Sequence, residues 1–197
     1  MATVTYTFRR HGNAEVAPDQ SYQADMARQL SNVGIQQVER IRQRFDLVYA
    51  APSMRTRQTA SRMSPFPLEQ VTVLSELGYP EPNNDIGQRC DLMYRAYGTE
   101  TPYAEYMKDP DFHLLRKHCM VAARAIRKLK LPTDAAVGFA CHGTYMNGIG
   151  IAILEERVHD LVDPIAELKE QVFDETEGFT LTMEAGRPVD FKLHLVK

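Results

Sequence analysis

A repeated junction constrains this chain most. Twice, a short run suited to a buried β-strand ends at a histidine followed by a glycine. Thr3 to Phe8 is rich in β-branched and aromatic residues, as strands are, and runs into Arg10-His11-Gly12. Ala135 to Ala140 is an apolar run of strand length, followed by Cys141-His142-Gly143 and a helix-forming stretch to about Leu154. Leu47-Val48-Tyr49 and Val71 to Leu74 give two further strands between them, and Phe179 to Met183 and Val189 to Leu195 a final pair joined by a turn containing Gly186. Helical stretches alternate with these runs. Ala24 to Phe45 carries Met26, Leu30, Val33, Val38, Ile41 and Phe45 near helical spacing, with Gly34 expected to divide it and Ser31 or Asn32 to cap the second half. Pro52 opens a helix carrying Arg55, Arg57 and Thr59, and Phe112 to Leu131 is a strong helical pattern. Strands alternating with helices indicate an α/β layered sheet. In such sheets ligands bind beyond the C-terminal strand ends, where both His-Gly motifs stand, so the two are expected to meet.

A length of 197 residues suits one domain spanning 1–197, with loops and short helices over about 78–110 (Pro80, Pro82, Asn83, Asn84, Pro102 and five tyrosines) packed near the site. The net charge of -3 supplies no field for nucleic acid or an anionic membrane, so anion-binding charge must be concentrated locally. No apolar run reaches the roughly 20 residues of a membrane span, and the N-terminal segment does not read as a secretory signal. Cys90, Cys119 and Cys141, odd in number and widely spaced, read as reduced thiols; a cytoplasmic location is expected. No histidine, cysteine or carboxylate set has metal-ligand spacing, so neither a metal nor another cofactor is expected.

The junction residues fit one chemistry. Transfer of a phosphoryl group through histidine needs a neutral imidazole facing phosphorus, cations on the equatorial oxygens and a proton for the leaving oxygen. Arg10, His11 and Gly12 offer a clamp, a nucleophile and a close backbone approach. Arg55 lies near the start of the helix after the second strand. His142-Gly143 opens a helix whose free N–H groups favour an anion. Glu76, after the third strand, is placed to donate the proton, with Glu81 and Glu15 as rivals.

Five blocks in order carry a resemblance: Phe8-Arg9-Arg10-His11-Gly12-Asn13-Ala14; Leu30-Ser31-x-x-Gly34-x-x-Gln37; Tyr49-Ala50-Ala51-Pro52-Ser53-Met54-Arg55-Thr56-Arg57-Gln58-Thr59-Ala60; Leu74-Ser75-Glu76; and Phe139-Ala140-Cys141-His142-Gly143. Together they resemble the histidine phosphatase superfamily, which includes phosphoglycerate mutases, small phosphohistidine phosphatases and monophosphatases of small molecules. The resemblance implies a three-layer α/β/α sandwich, phosphoglycerate mutase-like, with a mostly parallel sheet and cofactor-free chemistry. It implies His11 as the phosphorylated nucleophile, Arg10, Arg55 and His142 as its phosphate pocket, with Gly12, Gly143 and Asn13 beside them, and Glu76 as acid and base. The expected activity is hydrolysis of a phosphomonoester or phosphohistidine, on a small phosphorylated substrate or a phosphoprotein. The alternatives are a mutase that returns the phosphate to its substrate and a silent phosphate-binding protein.

The chain departs from the family pattern at Ala17, where many relatives have asparagine, at Ala51, where serine is usual, and at Arg9, usually apolar and expected to reach the surface opposite Arg10. His113, His118, His159 and His194 read as surface or packing residues, the tyrosines between Tyr79 and Tyr106 as packing with some at the pocket mouth, and Arg116 to Lys130 as a solvated helix face.

Overall fold

The computed structural model describes residues 3–98, 100–155 and 162–196. Its sheet has six strands: β1 (Thr3–Arg10), β2 (Leu47–Ala50), β3 (Thr72–Val73), β4 (Ala136–Cys141), β5 (Gly178–Glu184) and β6 (Arg187–His194), in spatial order β3-β2-β4-β1-β5-β6. The first four are parallel. β5 and β6 add an antiparallel hairpin at one edge, turned by Ala185 and Gly186, both with positive φ as a two-residue hairpin turn requires.

Helices cover both faces, and the alternation along β4 shows it. Val137, Phe139 and Cys141 face one core cluster, shared with Leu115, Cys119 and Ile126 of α6 (Phe112–Arg127), Met146, Ile149 and Ile153 of α7 (Gly143–Glu155), and Leu168 of α8 (Val162–Glu170). Ala136 and Ala140 face the other, with Val38 of α2 (Asn32–Arg40), Phe45, and Ala60 and Met63 of α3 (Met54–Arg62). The result is three layers about a mostly parallel sheet. Phe8 stacks between Phe139 and Phe179, with 4.8 Å between centroids on each side, and fixes how β1, β4 and β5 meet the first core.

The α1–α2 break differs from the sequence expectation. α1 (Tyr22–Ala27) ends before Arg28 and α2 starts after Ser31, whose Oγ accepts from the Gly34 amide. Gly34 lies inside α2, because the Asn13 carbonyl packs where its Cβ would stand. In the central region α4 (Asp85–Tyr97) replaces the expected short pieces; Asn84 caps it through the Gly87 amide and Gly98 ends it at φ 73°. Tyr103 and Tyr106 of the short α5 (Tyr103–Tyr106) are buried core, as packing tyrosines should be. α8 has no counterpart among the sequence-derived elements.

Arg9 does not reach the surface. It is 8% exposed, donates from Nη1 to the Thr176 carbonyl at 3.1 Å and has the buried Glu177 nearby. Burial holds its guanidinium down at about 10, with Glu177 pulling the other way. The chain turn at 174–177 covers this strand face, and the buried charge meets the Thr176 carbonyl with the Glu177 carboxylate near it. Arg116 pairs with Glu155 at 3.0 Å and Arg127 donates to the Ile153 carbonyl, so part of the basic α6 face ties that helix to α7. His113 and His118 donate to the carbonyls of Pro110 and Gly78, and His194 bonds Thr180 Oγ1. His159 lies outside the described residues. All three cysteines are buried and free, and no described helix is long and apolar enough to cross a membrane.

Candidate active site

Neighbouring parallel strands bring the two His-Gly motifs together. β1 and β4 pair in register to Arg10↔Cys141, and the His11 amide donates to the Cys141 carbonyl at 3.0 Å. The chain leaves the sheet at this rung on both strands. The rings of His11 and His142 therefore stand edge to face, 5.2 Å between centroids. They lie in a cleft of about 650 Å³ that Arg10, Asn13, Arg55 and Gly143 also line.

The hydrogen bonds of His11 define its tautomer. Nδ1 lies 2.8 Å from the Gly12 carbonyl, which can only accept, so Nδ1 carries the proton. Nε2 is left with its lone pair and accepts from Arg55 Nε at 3.2 Å. Burial, then the Arg55 cation, push the His11 pKa down to about 3, with Arg10 and Arg28 adding to the shift against the Gly12 hydrogen bond. The imidazole is thus neutral, with its lone pair on Nε2 facing the Arg55 guanidinium at the cleft wall. Burial, then Arg55, also hold His142 well below the ordinary histidine range, so it acts as a neutral hydrogen-bonding ring rather than a cation. Its Nε2 lies 3.4 Å from Ser53 Oγ, at the limit of a hydrogen bond.

Arg55 is only 6% exposed and points inward from the first turn of α3. Arg10 donates from Nη1 to the Phe173 carbonyl at 2.5 Å and lies against Gly143, where a Cβ would stand 3.3 Å from its Cδ; its Nε is buried without a partner. Gly12 serves packing more than ligand approach: a Cβ there would stand 2.8 Å from both the Gly34 carbonyl oxygen and Val38. Its amide donates to Thr59 Oγ1, which in turn donates to the Arg55 carbonyl, coupling the loop after His11 to the helix that carries Arg55. Asn13 lines the cleft with Oδ1 committed to Ser31 Oγ at 2.7 Å. Ala17 lines it too, offering no polar contact, while Ala51 is buried core and Ser53 is the serine beside His142.

Glu76 is not brought into the cleft. The 3₁₀ turn Ser75–Leu77 buries Leu77 and turns the Glu76 carbonyl inward to accept from Tyr145 Oη at 3.0 Å. Its carboxylate instead accepts from Ser75 Oγ on the exposed side. Glu81 and Glu15 do not line the cleft either; the carboxylates that do are Asp19, Asp25, Asp91 and Glu175. Sequence reasoning missed Asp25 and Arg28. Asp25 receives Arg55 Nη2 at 2.9 Å and Arg28 Nη1 at 3.1 Å, and Arg28 and Arg95 add two cations to the cleft wall. Among the described residues, no group of three or more histidines, cysteines or carboxylates could hold a metal ion.

Comparison with known proteins agrees with this geometry. A search of curated proteins returns no match. The structure is similar to a phosphoserine phosphatase from Entamoeba histolytica in complex with 3-phosphoglyceric acid (19% identity, TM-score 0.61, 95% of this chain and 96% of that one). It is also similar to a putative alpha-ribazole-5'-P phosphatase from Escherichia coli (10%, 0.57, 98% and 95%) and to a phosphoglycerate mutase from Bacillus anthracis (13%, 0.55, 99% and 93%). At these identities the similarity establishes a shared fold. The family model described as histidine phosphatase superfamily (branch 1) matches residues 6–163, a span containing every residue of the two His-Gly junctions and the clamp helix, and the chain belongs to that superfamily.

Proposed function

We propose that the chain is a phosphatase that hydrolyses a phosphomonoester or phosphohistidine through a phospho-His11 intermediate. The observation that carries this is the state of His11: a neutral ring, its Nδ1 proton fixed on Gly12, its Nε2 lone pair facing the cleft beside Arg55. Nε2 attacks phosphorus, forming the N–P bond as the bond to the leaving oxygen or nitrogen breaks; the leaving atom takes a proton from the cleft. Water then attacks the phosphoryl group, releasing inorganic phosphate and returning the lone pair to Nε2. Arg10 and Arg55 hold the charge that spreads over the equatorial oxygens. His142 donates from the opposite side. The substrate is a small phosphorylated molecule or a phosphoprotein with its remainder in the outer cleft.

The test is a hydrolysis screen over phosphomonoesters and a phosphohistidine peptide, with His11→Ala as control, and a brief reaction quenched to trap label. Label that is acid-labile, base-stable and confined to the His11 peptide supports the reading. Acid-stable label, or wild-type labelling in His11→Ala, overturns it. Interconversion of phosphoglycerates faster than hydrolysis would instead make the chain a mutase, and phosphate binding without turnover a silent binder.

A further inference from the structure

We infer that Asp25 is a positioning residue for the clamp arginine, its carboxylate and its own main-chain carbonyl together turning the Nε edge of Arg55 toward His11. The inference rests on the site proposed above. A guanidinium has five N–H donors in a fixed plane, one on Nε and two on each terminal nitrogen. In Arg55, Nη1 donates to the Asp25 carbonyl at 2.5 Å and Nη2 to Asp25 Oδ2 at 2.9 Å, so a single residue grips both terminal nitrogens. Nε then points at His11 Nε2, 3.2 Å away, the nitrogen that would carry phosphorus. One further hydrogen on Nη2 is left beside the Nε–H. Phosphate oxygens are commonly held by two parallel N–H groups of this kind. Without a partner on its far side, the side chain could rotate about its long stem and lose the edge that faces the nucleophile.

Asp25 is itself held. Its Oδ1 accepts from Arg28 Nη1 at 3.1 Å, and Arg28 Nε donates to the Glu15 carbonyl at 2.6 Å. The chain of contacts runs from the loop after His11, through Arg28 and Asp25, to Arg55 and back to His11. Packing does not explain why Asp25 sits there, because no residue of α1 is buried. The polar contacts, with the Ser21 cap on the Ala24 amide, place this helix against the site. The two arginines hold the Asp25 carboxyl below its usual range against the opposing effect of burial, so it stays ionised and is a poor acid for a leaving group.

The experiment compares wild type, Asp25→Ala, Asp25→Asn and Asp25→Glu as the full chain. Affinity for inorganic phosphate is measured by titration calorimetry, and turnover with a nitrophenyl ester and an alkyl phosphate. The expected result for Asp25→Ala is phosphate affinity lowered about 10-fold and kcat/KM lowered about 10- to 100-fold, the range for partners that orient a site's direct ligands. The loss in kcat/KM should be equal for the good and the poor leaving group, with the melting temperature nearly unchanged. Asp25→Asn, which keeps one acceptor oxygen, should fall between. Asp25→Glu recovers part of the loss. Phosphate affinity unchanged in Asp25→Ala overturns the inference. Tighter phosphate binding also overturns it, by showing that Asp25 competes for the clamp, and so does a loss confined to the alkyl substrate, which would make Asp25 the proton donor. The two readings fail separately: phosphate binding without turnover in the wild type removes the hydrolytic reading and leaves Asp25 to be judged by affinity. A wild type that binds no phosphate removes both.

Discussion

Replacing Arg55 by methionine tests the claim that a neighbouring cation helps keep His11 neutral. The methionine keeps a long apolar stem but removes the positive charge and the Nε donor lying 3.2 Å from His11 Nε2. The sign follows directly: a nearby cation disfavours imidazolium, so its removal must raise the His11 pKa. Two unit charges about 4 Å apart interact by about 4 kcal/mol at an effective dielectric near 20, and by about 1 kcal/mol in water. At about 1.4 kcal/mol per pKa unit these limits correspond to about 3 units and about 0.7 unit. The cleft is open to solvent on one side, so a rise of about one to two units is expected from the wild-type value of about 3. Burial is the larger cause of the depression and persists in the variant, so His11 should still titrate below 6.5. Imidazole nitrogen chemical shifts followed from pH 7 down to 4 read this directly. Wild-type His11 should stay neutral throughout, with the proton on Nδ1, while the variant should begin to protonate near the acid end. Loss of one donor to a transition-state oxyanion should also lower kcat by about 10²- to 10³-fold. A His11 pKa unchanged or lowered in Arg55→Met would refute the electrostatic account, whatever happened to the rate.

Three further predictions follow from the same structure. The pKa values of His11 and His142 are depressed in the folded state, so the unfolded chain takes up protons below about 6.5 that the native state refuses until near 3 for His11; stability should be intact above 6.5 and fall progressively between those values, and denaturant unfolding of a His142→Gln protein should show a shallower fall. Phe139→Ala empties the centre of the stack with Phe8 and Tyr49 and should cost about 3–5 kcal/mol by the same measurement; a loss under 1 kcal/mol would contradict the assignment of this core. Glu76→Gln should slow alkyl and nitrophenyl phosphates to the same small extent, because its carboxylate lies outside the cleft, and a loss confined to the poor leaving group would show that the side chain turns inward during turnover.

The parts of the site that the sequence displays are those carried by strand ends. A strand of β-branched or apolar residues has a period of two and an abrupt end, so the residue that leaves the sheet can be read directly, and parallel pairing of β1 with β4 does the rest. Arg55 is legible for the same reason, since Pro52 and the strand before it fix where the helix starts. α4 is not legible because its periodicity is poor: Ile86, Leu92 and Tyr94 are exposed, and the buried positions are Gly87, Cys90 and Met93, two of them small. Asp25 and Arg28 are invisible for a stronger reason. α1 has no buried face and so no apolar stripe, and its function is set by polar contacts to a helix about thirty residues further on, as the Asp25–Arg55 separation of 30 shows. Glu76 misleads because a three-residue turn decides which way its side chain goes, and that choice was made by Leu77 and Tyr145.

The charge arrangement suits a histidine kept neutral, flanked by arginine rather than by lysine or a carboxylate. A lysine beside His11 could itself lose its proton when buried and would then stop depressing the imidazole pKa; an arginine stays charged. A carboxylate in hydrogen-bond reach of either imidazole nitrogen would stabilise imidazolium and raise the His11 pKa. Here the uncharged Gly12 carbonyl accepts from Nδ1–H, and the one carboxylate in the first turn of α1 is kept on the far side of Arg55. That spacing lets a single guanidinium do three things: it lowers the pKa of His11, it is bonded on its far side by Asp25, and it turns its Nε edge toward His11 Nε2. With a net charge of -3 over the whole chain, positive charge is placed locally, Arg10, Arg28, Arg55 and Arg95 lining one cleft together with Asp19, Asp25, Asp91 and Glu175. Of these, Arg28 and Arg95 are paired with Asp25 and Asp91. Arg55 is paired with Asp25 too, so its Nε–H, bonded to His11 Nε2, is the donor that an incoming phosphoryl oxygen would have to share with the imidazole.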